Sequence, residues 1–291
     1  MVHENLYLHH PIRSMMRGYV QLLRVKNCLM AVLSIIIVAL VAAGLDIASM
    51  PYNEVLAACL VVFMFMGGGN TLNDILDREI DRRNHPERPI PQGRVSPRAA
   101  KAYSAILFAI AVLGGLWLSL WCMLLILLNL GLMLAYEFKL KNIGLGGNLT
   151  ISWLTASIFL FGGLAIIDYY PHIMEPVLFM FLLSFFATLG REIAKDIQDV
   201  EGDEGRSTLP MRAGIPMARQ VSALSFIIAV GLSPLPYYFG IFGLWYLIVV
   251  MLANAIFIYA ASVLSRMPER SQENAKLAML LSLIAFLAGV I

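Results

Sequence analysis

The chain has 291 residues, is 59% hydrophobic and only 14% charged, and carries a formal net charge of +2. Soluble domains average about a quarter charged, so this composition excludes a soluble globular enzyme; the net charge itself says little, and no nucleic-acid partner is expected. It is the composition of a polytopic membrane protein.

Residues 1–26 hold Arg13, Arg17, Arg24 and Lys26 among Met, Tyr, Leu and Val, which reads as an interfacial amphipathic helix leading into the first span. A mixed segment of that length ahead of the first apolar run does not resemble a cleaved signal. Nine spans are expected at roughly 27–45, 52–73, 99–118, 121–138, 147–167, 174–195, 216–236, 243–264 and 274–291. Each approaches the ~20 residues that cross a bilayer core. Residues 102–136 and 220–265 are uncharged and too long for one span each. The first divides near Trp117–Trp121, the second at Pro234, Pro236 and Gly240, where helices break or bend. Cys28, Cys59 and Cys122 lie scattered in apolar segments with no metal or redox spacing and read as lipid- or core-facing. The five histidines form no ligand pattern.

Basic residues test the span count. With the N-terminus inside, all 21 Lys and Arg fall in or within about a turn of the inside segments 1–26, 74–98, 139–146, 196–215 and 265–273. The opposite loops contain none, as the positive-inside rule requires.

The second span ends in a polar stripe. Asn70, Asp74, Asp77 and Asp81 are spaced 4, 3 and 4 apart, and on a helix they share one face. Glu192, Asp196, Asp199 and Asp203 repeat that spacing, each 122 residues after its counterpart, at the end of the sixth span. The loops repeat too: Arg88-Pro-Ile-Pro91 with Arg94 and Pro97 is similar to Arg206-Ser-Thr-Leu-Pro210 with Arg212 and Pro216. This offset predicts two parallel repeats four spans apart, with the ninth span outside them and both clusters facing one central cavity.

Stacked carboxylates repel each other on a helix, and a charge at membrane depth costs ~2.5–3.5 kcal/mol on insertion scales. A divalent cation would remove the repulsion. The ligands are carboxylate and amide oxygens, which suits Mg²⁺, Mn²⁺ or Ca²⁺ rather than Zn²⁺. Mg²⁺ is typically shared between a few carboxylates and a substrate's phosphate oxygens. Basic residues crowd the same side, and those one turn from an acidic residue of the motifs, Arg82, Arg191 and Lys195, are the stronger phosphate candidates. Diphosphate chemistry beside an apolar cavity suggests a polyprenyl diphosphate.

Asn70-x3-Asp74-x2-Asp77-x3-Asp81 and Asp196-x2-Asp199-x3-Asp203, in spans two and six of nine, resemble the paired motifs of the UbiA superfamily of intramembrane prenyltransferases. The resemblance implies an all-α fold of nine transmembrane helices around a cavity, a single domain over 1–291. Its cap loops would be 74–98 and 196–215, cytoplasmic like the N-terminus. It implies Mg²⁺-dependent transfer of a prenyl group, with Asp74, Asp77, Asp199 and Asp203 as catalytic carboxylates. Asn70, Asp81 and Asp196 would complete the metal-binding set. Arg24, Asn27, Asn73, Arg82, Arg88, Tyr136, Lys139, Arg191 and Lys195 would contact substrate.

Arg88-Pro-Ile-Pro-Gln-Gly-Arg-Val-Ser96 and Arg191 to Asp203, followed by Ser-Thr-Leu-Pro210, look like the archaeal digeranylgeranylglyceryl phosphate synthase branch. That branch implies geranylgeranyl diphosphate and geranylgeranylglyceryl phosphate as substrates in ether-lipid synthesis, membrane lipids as surroundings and no obligate protein partner. Aromatic, quinone-precursor and tetrapyrrole acceptors are the alternatives within the superfamily. A CDP-alcohol phosphotransferase would need an Asp-Gly-x2-Ala-Arg stretch that is absent. A cation-coupled transporter would place its carboxylates near the midplane, usually with inverted repeats, whereas these lie at helix ends beside Arg-rich loops.

Overall fold

Every long element is an α-helix, and the helices start where the sequence supplies a start signal. Ser96 accepts a hydrogen bond from the Ala99 N–H and Pro97 follows it, opening α5. Pro216 and Pro268 stand in the first turns of α10 and α13. The computed structural model describes residues 9–44, 46–200 and 207–291. In order the helices are α1 (His9–Leu23), α2 (Val25–Ala43), α3 (Tyr52–Leu76), α4 (Arg78–Asn84), α5 (Pro97–Leu118), α6 (Leu120–Phe138), α7 (Leu145–Ile166), α8 (Met174–Asp199), α9 (Leu209–Ala213), α10 (Ile215–Leu232), α11 (Leu235–Tyr238), α12 (Leu244–Val263) and α13 (Pro268–Ala288). No strand occurs among the described residues; one parallel backbone bridge joins Gly144 to Thr208.

Eight segments among the described residues are long and apolar enough to cross a membrane. They are α2, α3, α5, α6, α7, α8 with the turn before it, α10 with the residues up to Tyr238, and α12. The chain is a multi-pass membrane protein. The ninth span expected at 274–291 coincides with α13, a 21-residue helix whose first half carries Glu269, Arg270, Glu273 and Lys276 and which is not among those eight. Span ends carry exposed aromatic residues, Trp117 on α5, Trp121 on α6 and Trp245 on α12, as interfacial anchors do.

The chain folds as two units, Met1–Leu33 with Leu56–Ile126, and Ser34–Val55 with Leu127–Ile291. In the first unit Leu22, Ile75, Ile90, Val95 and Ala100 form a buried cluster that fixes the loop after α4 beneath the end of α1. Here α3 meets α5 at Gly68. Ser104 Oγ donates to the Gly68 carbonyl at 2.9 Å, and a Cβ on Gly68 would stand 3.0 Å from the Phe108 ring. In the second unit α8 is the hub, packing on α7, α10 and α13. It meets α10 at Gly190. Ser222 Oγ donates to the Gly190 carbonyl at 2.7 Å, and a Cβ on Gly190 would stand 2.6 Å from the Phe226 ring. Phe226 stacks on Phe257, and Ala275 and Ala278 of α13 complete that core. The two glycine contacts correspond partner for partner, compatible with the duplication expected from the repeat.

Candidate active site

The first aspartate stripe lies wholly in the first unit. α3 carries it through Leu76, the backbone bends at Asp77 (φ −86°, ψ 8°), and α4 begins at Arg78. Helical hydrogen bonding continues through the bend: Asp77 N–H donates to the Asn73 carbonyl at 2.9 Å and Asp81 N–H to the Asp77 carbonyl at 2.8 Å. Asp74, Asp77 and Asp81 keep only 3%, 9% and 3% of their surface exposed. Carboxylates this deep require partners.

The partners are arginines remote in sequence. Arg24 bonds Asp74 and also reaches Asn73 Oδ1 at 3.4 Å. It stands between α1 and α2 with φ of 50°, the one described non-glycine residue in the left-handed region, a conformation costing about 1–2 kcal/mol. That turn aims the guanidinium back at α3. Asn70 anchors the same corner, its Nδ2 donating to the Leu23 carbonyl at 2.8 Å at the open end of α1. Arg88, from the proline-rich loop, donates to Asp81 Oδ2 at 2.6 Å and lies 3.5 Å from Asp74 Oδ1. Asn73 Nδ2 donates to Asp77 Oδ2 at 3.1 Å. Arg82 turns instead to Glu79 at 2.9 Å and is exposed, and Asn27 is exposed in the first turn of α2.

The second stripe lies in the second unit and is built differently. α8 runs unbroken through Asp196 to Asp199, both half-buried, so these residues end a helix rather than start a loop. Asp203 lies outside the described residues. Asp196 Oδ2 accepts from Asn148 Nδ2 of α7 at 2.8 Å. Arg191 bonds its neighbour Glu192, and Lys195 is exposed. Tyr136 is half-buried and Lys139 exposed at the end of α6. Beside them Glu137 is 7% exposed and accepts from Lys141 Nζ at 3.1 Å. Gly144, at φ 50°, takes the backbone into α7; its N–H donates to the Ser207 carbonyl at 2.8 Å. That bond ties the residues after the second motif to the start of α7.

Two buried polar residues escaped the motif reading. Glu137 was legible, as an acid closing an otherwise uncharged span, four residues from Lys141. Asn148 was a polar residue in an apolar span, but nothing in the sequence ties it to Asp196, 48 residues on.

No group of three His, Cys, Asp or Glu side chains among the described residues is arranged to hold a metal alone. Mg²⁺ does not need such a cage, because one or two carboxylates with substrate oxygens and water suffice. The donors of both stripes are oxygens, and the Asn148 Oδ1 beside Asp196 is buried with no hydrogen-bond partner. The residues therefore fit a hard cation.

Residues 31–284 match the model of the UbiA prenyltransferase family. The chain belongs to the UbiA prenyltransferase family. A digeranylgeranylglyceryl phosphate synthase from Methanothermobacter thermautotrophicus is 40% identical over 284 residues, covering 94% of this chain and 96% of that protein. A solved structure described as giving "structural and mechanistic insights into the biosynthesis of digeranylgeranylglyceryl phosphate synthase in membranes" is 37% identical. It superposes with a TM-score of 0.82 over 95% of this chain and 99% of its own. A UbiA homologue from Archaeoglobus fulgidus, solved bound to GPP and Mg²⁺, shares the fold at 17% identity and a TM-score of 0.64, covering 94% of this chain and 99% of its own.

Proposed function

We propose that this UbiA protein transfers a geranylgeranyl group from geranylgeranyl diphosphate to the sn-2 hydroxyl of geranylgeranylglyceryl phosphate. The observation that carries the reading is a buried aspartate stripe held by guanidiniums, in a chain 40% identical to a curated synthase of that name. Asn70, Asp74, Asp77 and Asp81 of the first motif, with Asp196, Asp199 and Asp203 of the second, serve the divalent cation and the diphosphate. When bound, Mg²⁺ supplies charge neutralisation of the departing diphosphate. Arg24, Asn73 and Arg88 already stand on the stripe; they hold and orient phosphate oxygens, which guanidinium forks match in shape and charge. Asn27, Arg82, Tyr136, Lys139, Arg191 and Lys195 complete the substrate-facing set.

The allylic C1–O bond breaks and its electron pair leaves with the diphosphate. A lone pair of the sn-2 oxygen forms the new ether bond at C1, and the hydroxyl proton passes to the released diphosphate. The N-terminus and the loops after α3 and α8 face the cytoplasm in this reading, as the distribution of Lys and Arg supports.

The test uses purified protein, Mg²⁺ and radiolabelled geranylgeranyl diphosphate, with geranylgeranylglyceryl phosphate in one tube and 4-hydroxybenzoate in another. Label in a two-chained phosphate lipid, abolished by EDTA and restored by Mg²⁺, is the expected result. Label on the aromatic acid instead overturns the acceptor.

A further inference from the structure

An ionised carboxylate stays buried only when it is paired or metal-bound. The first stripe buries three, Asp74, Asp77 and Asp81, and the structure sets two guanidiniums among them. Arg24 pairs with Asp74, and Arg88 with Asp81 and Asp74. Asp74 Oδ1 is the contested atom, because Arg24 and Arg88 both approach it. The carboxylates are locked in place by two helices, whereas the arginine side chains keep 33% and 27% exposure. Neither arginine belongs to α3 or α4. Arg24 stands in the left-handed turn before α2, and Arg88 in the loop held by Pro86, Pro89 and Pro91. The guanidiniums can therefore leave while the carboxylates stay.

Resting on the metal reading above, we propose that Arg24 and Arg88 are built-in counterions that exchange with the divalent cation. Without metal they are cationic partners of Asp74 and Asp81. A divalent cation competes for the same lone pairs of Asp74 and Asp81 with twice the charge of one guanidinium, and so displaces the guanidiniums. Once freed, each presents a planar fork of donors to phosphate oxygens. Metal and diphosphate then bind with positive coupling, since each favours the arrangement the other needs. The stripe stays folded without metal, and the phosphate clamp is released only when the metal is in place.

The experiment measures Mn²⁺ binding to the full-length protein by electron paramagnetic resonance, without prenyl substrate, then with inorganic diphosphate. Removing a competitor tightens metal binding, so Arg88→Gln should bind Mn²⁺ about tenfold more tightly than wild type. Diphosphate should strengthen Mn²⁺ binding in wild type and lose most of that effect in Arg88→Gln. Arg83→Gln deletes the same charge from an exposed site on α4 and should stay within about twofold of wild type, because solvent screens it. Arg88→Lys keeps the charge without the fork; it should restore wild-type Mn²⁺ affinity and serves if the glutamine variant fails to fold. Unchanged or weaker Mn²⁺ binding in Arg88→Gln overturns the exchange, as does an Arg88→Lys protein that binds Mn²⁺ like the glutamine variant. If wild type binds Mn²⁺ and Asp74→Asn does not, a negative result at Arg88 removes this inference alone. No Mn²⁺ binding by wild type removes the metal reading with it.

Discussion

The two aspartate stripes share one spacing but differ in burial and in the side chains that meet them. On α3 and α4 the carboxylates are nearly dry, and Arg24 and Arg88 pair with Asp74 and Asp81. On α8 the carboxylates are half-buried, and Asp196 is met by the neutral amide of Asn148. Arg191 on the same helix bonds Glu192. The reason is the chain around each stripe. The first is followed by a bend at Asp77 and a short helix that brings Arg88 back to Asp81, whereas the second continues as unbroken helix to Asp199. Equal motifs thus need not be equal sites: guanidiniums meet Asp74 and Asp81 in the first, and an amide meets Asp196 in the second.

The largest effect expected is on turnover. Asp74→Asn and Asp199→Asn should each lower turnover of labelled substrate by about 1000-fold, the scale seen when a group stabilising transition-state charge is removed. Folded protein should remain in the membrane fraction. Wild-type-like turnover in either would remove that stripe from the site.

The next effect separates the stripes by stability. Arg88→Gln leaves two buried carboxylates short of a partner and should cost about 3 kcal/mol in metal-free protein, read as a lowered thermal midpoint that Mg²⁺ recovers. Arg191→Gln, whose partner is half-exposed, should shift the midpoint far less. Equal shifts would break the comparison.

Gly190→Ala and Gly68→Ala probe the corresponding contacts at the two hubs. Each forces a methyl against a phenylalanine ring, and overpacking of this kind costs about 1–3 kcal/mol. The 2.6 Å approach at Gly190 is tighter than the 3.0 Å at Gly68, so thermal melts should rank Gly190→Ala as the more destabilised. Asn148→Ala gives the smallest effect, about 1 kcal/mol from one lost hydrogen bond, expressed as a several-fold rise in the Mg²⁺ concentration needed for half-maximal turnover. Asn148→Asp sets a second negative charge beside Asp196 and should lower the Mg²⁺ concentration needed.

The spans were legible because hydropathy and the charge rule act locally. Expectations of 52–73, 121–138 and 243–264 meet helices Tyr52–Leu76, Leu120–Phe138 and Leu244–Val263. The aspartate helices run three or four residues beyond their expected ends, because the polar stripe continues the helix past the apolar run that marked the span. The motifs themselves were legible from spacing alone. Their counterions were not. Arg24 lies 50 residues before Asp74 and reaches it through a left-handed turn that no sequence preference announces, since arginine gains nothing there locally. Arg82 was favoured for its closeness to the first motif, yet Glu79 on its own helix takes it. Arg88 reaches Asp81 because the proline-rich loop folds back onto Leu22 and Ile75 through Ile90. Helical spacing tells which residues share a face, while tertiary packing decides which charges meet.

The most direct test of the site is a crystal structure of the protein with Mn²⁺ and a non-hydrolysable thiolo-diphosphate analogue of the prenyl donor, with anomalous scattering to locate the metal. The account predicts an anomalous peak bonded to Asp74 or Asp77 and shared with diphosphate oxygens, with Arg88 moved from Asp81 to the diphosphate. A metal bound away from the first stripe, or a diphosphate bound while Arg88 still holds Asp81, would contradict it.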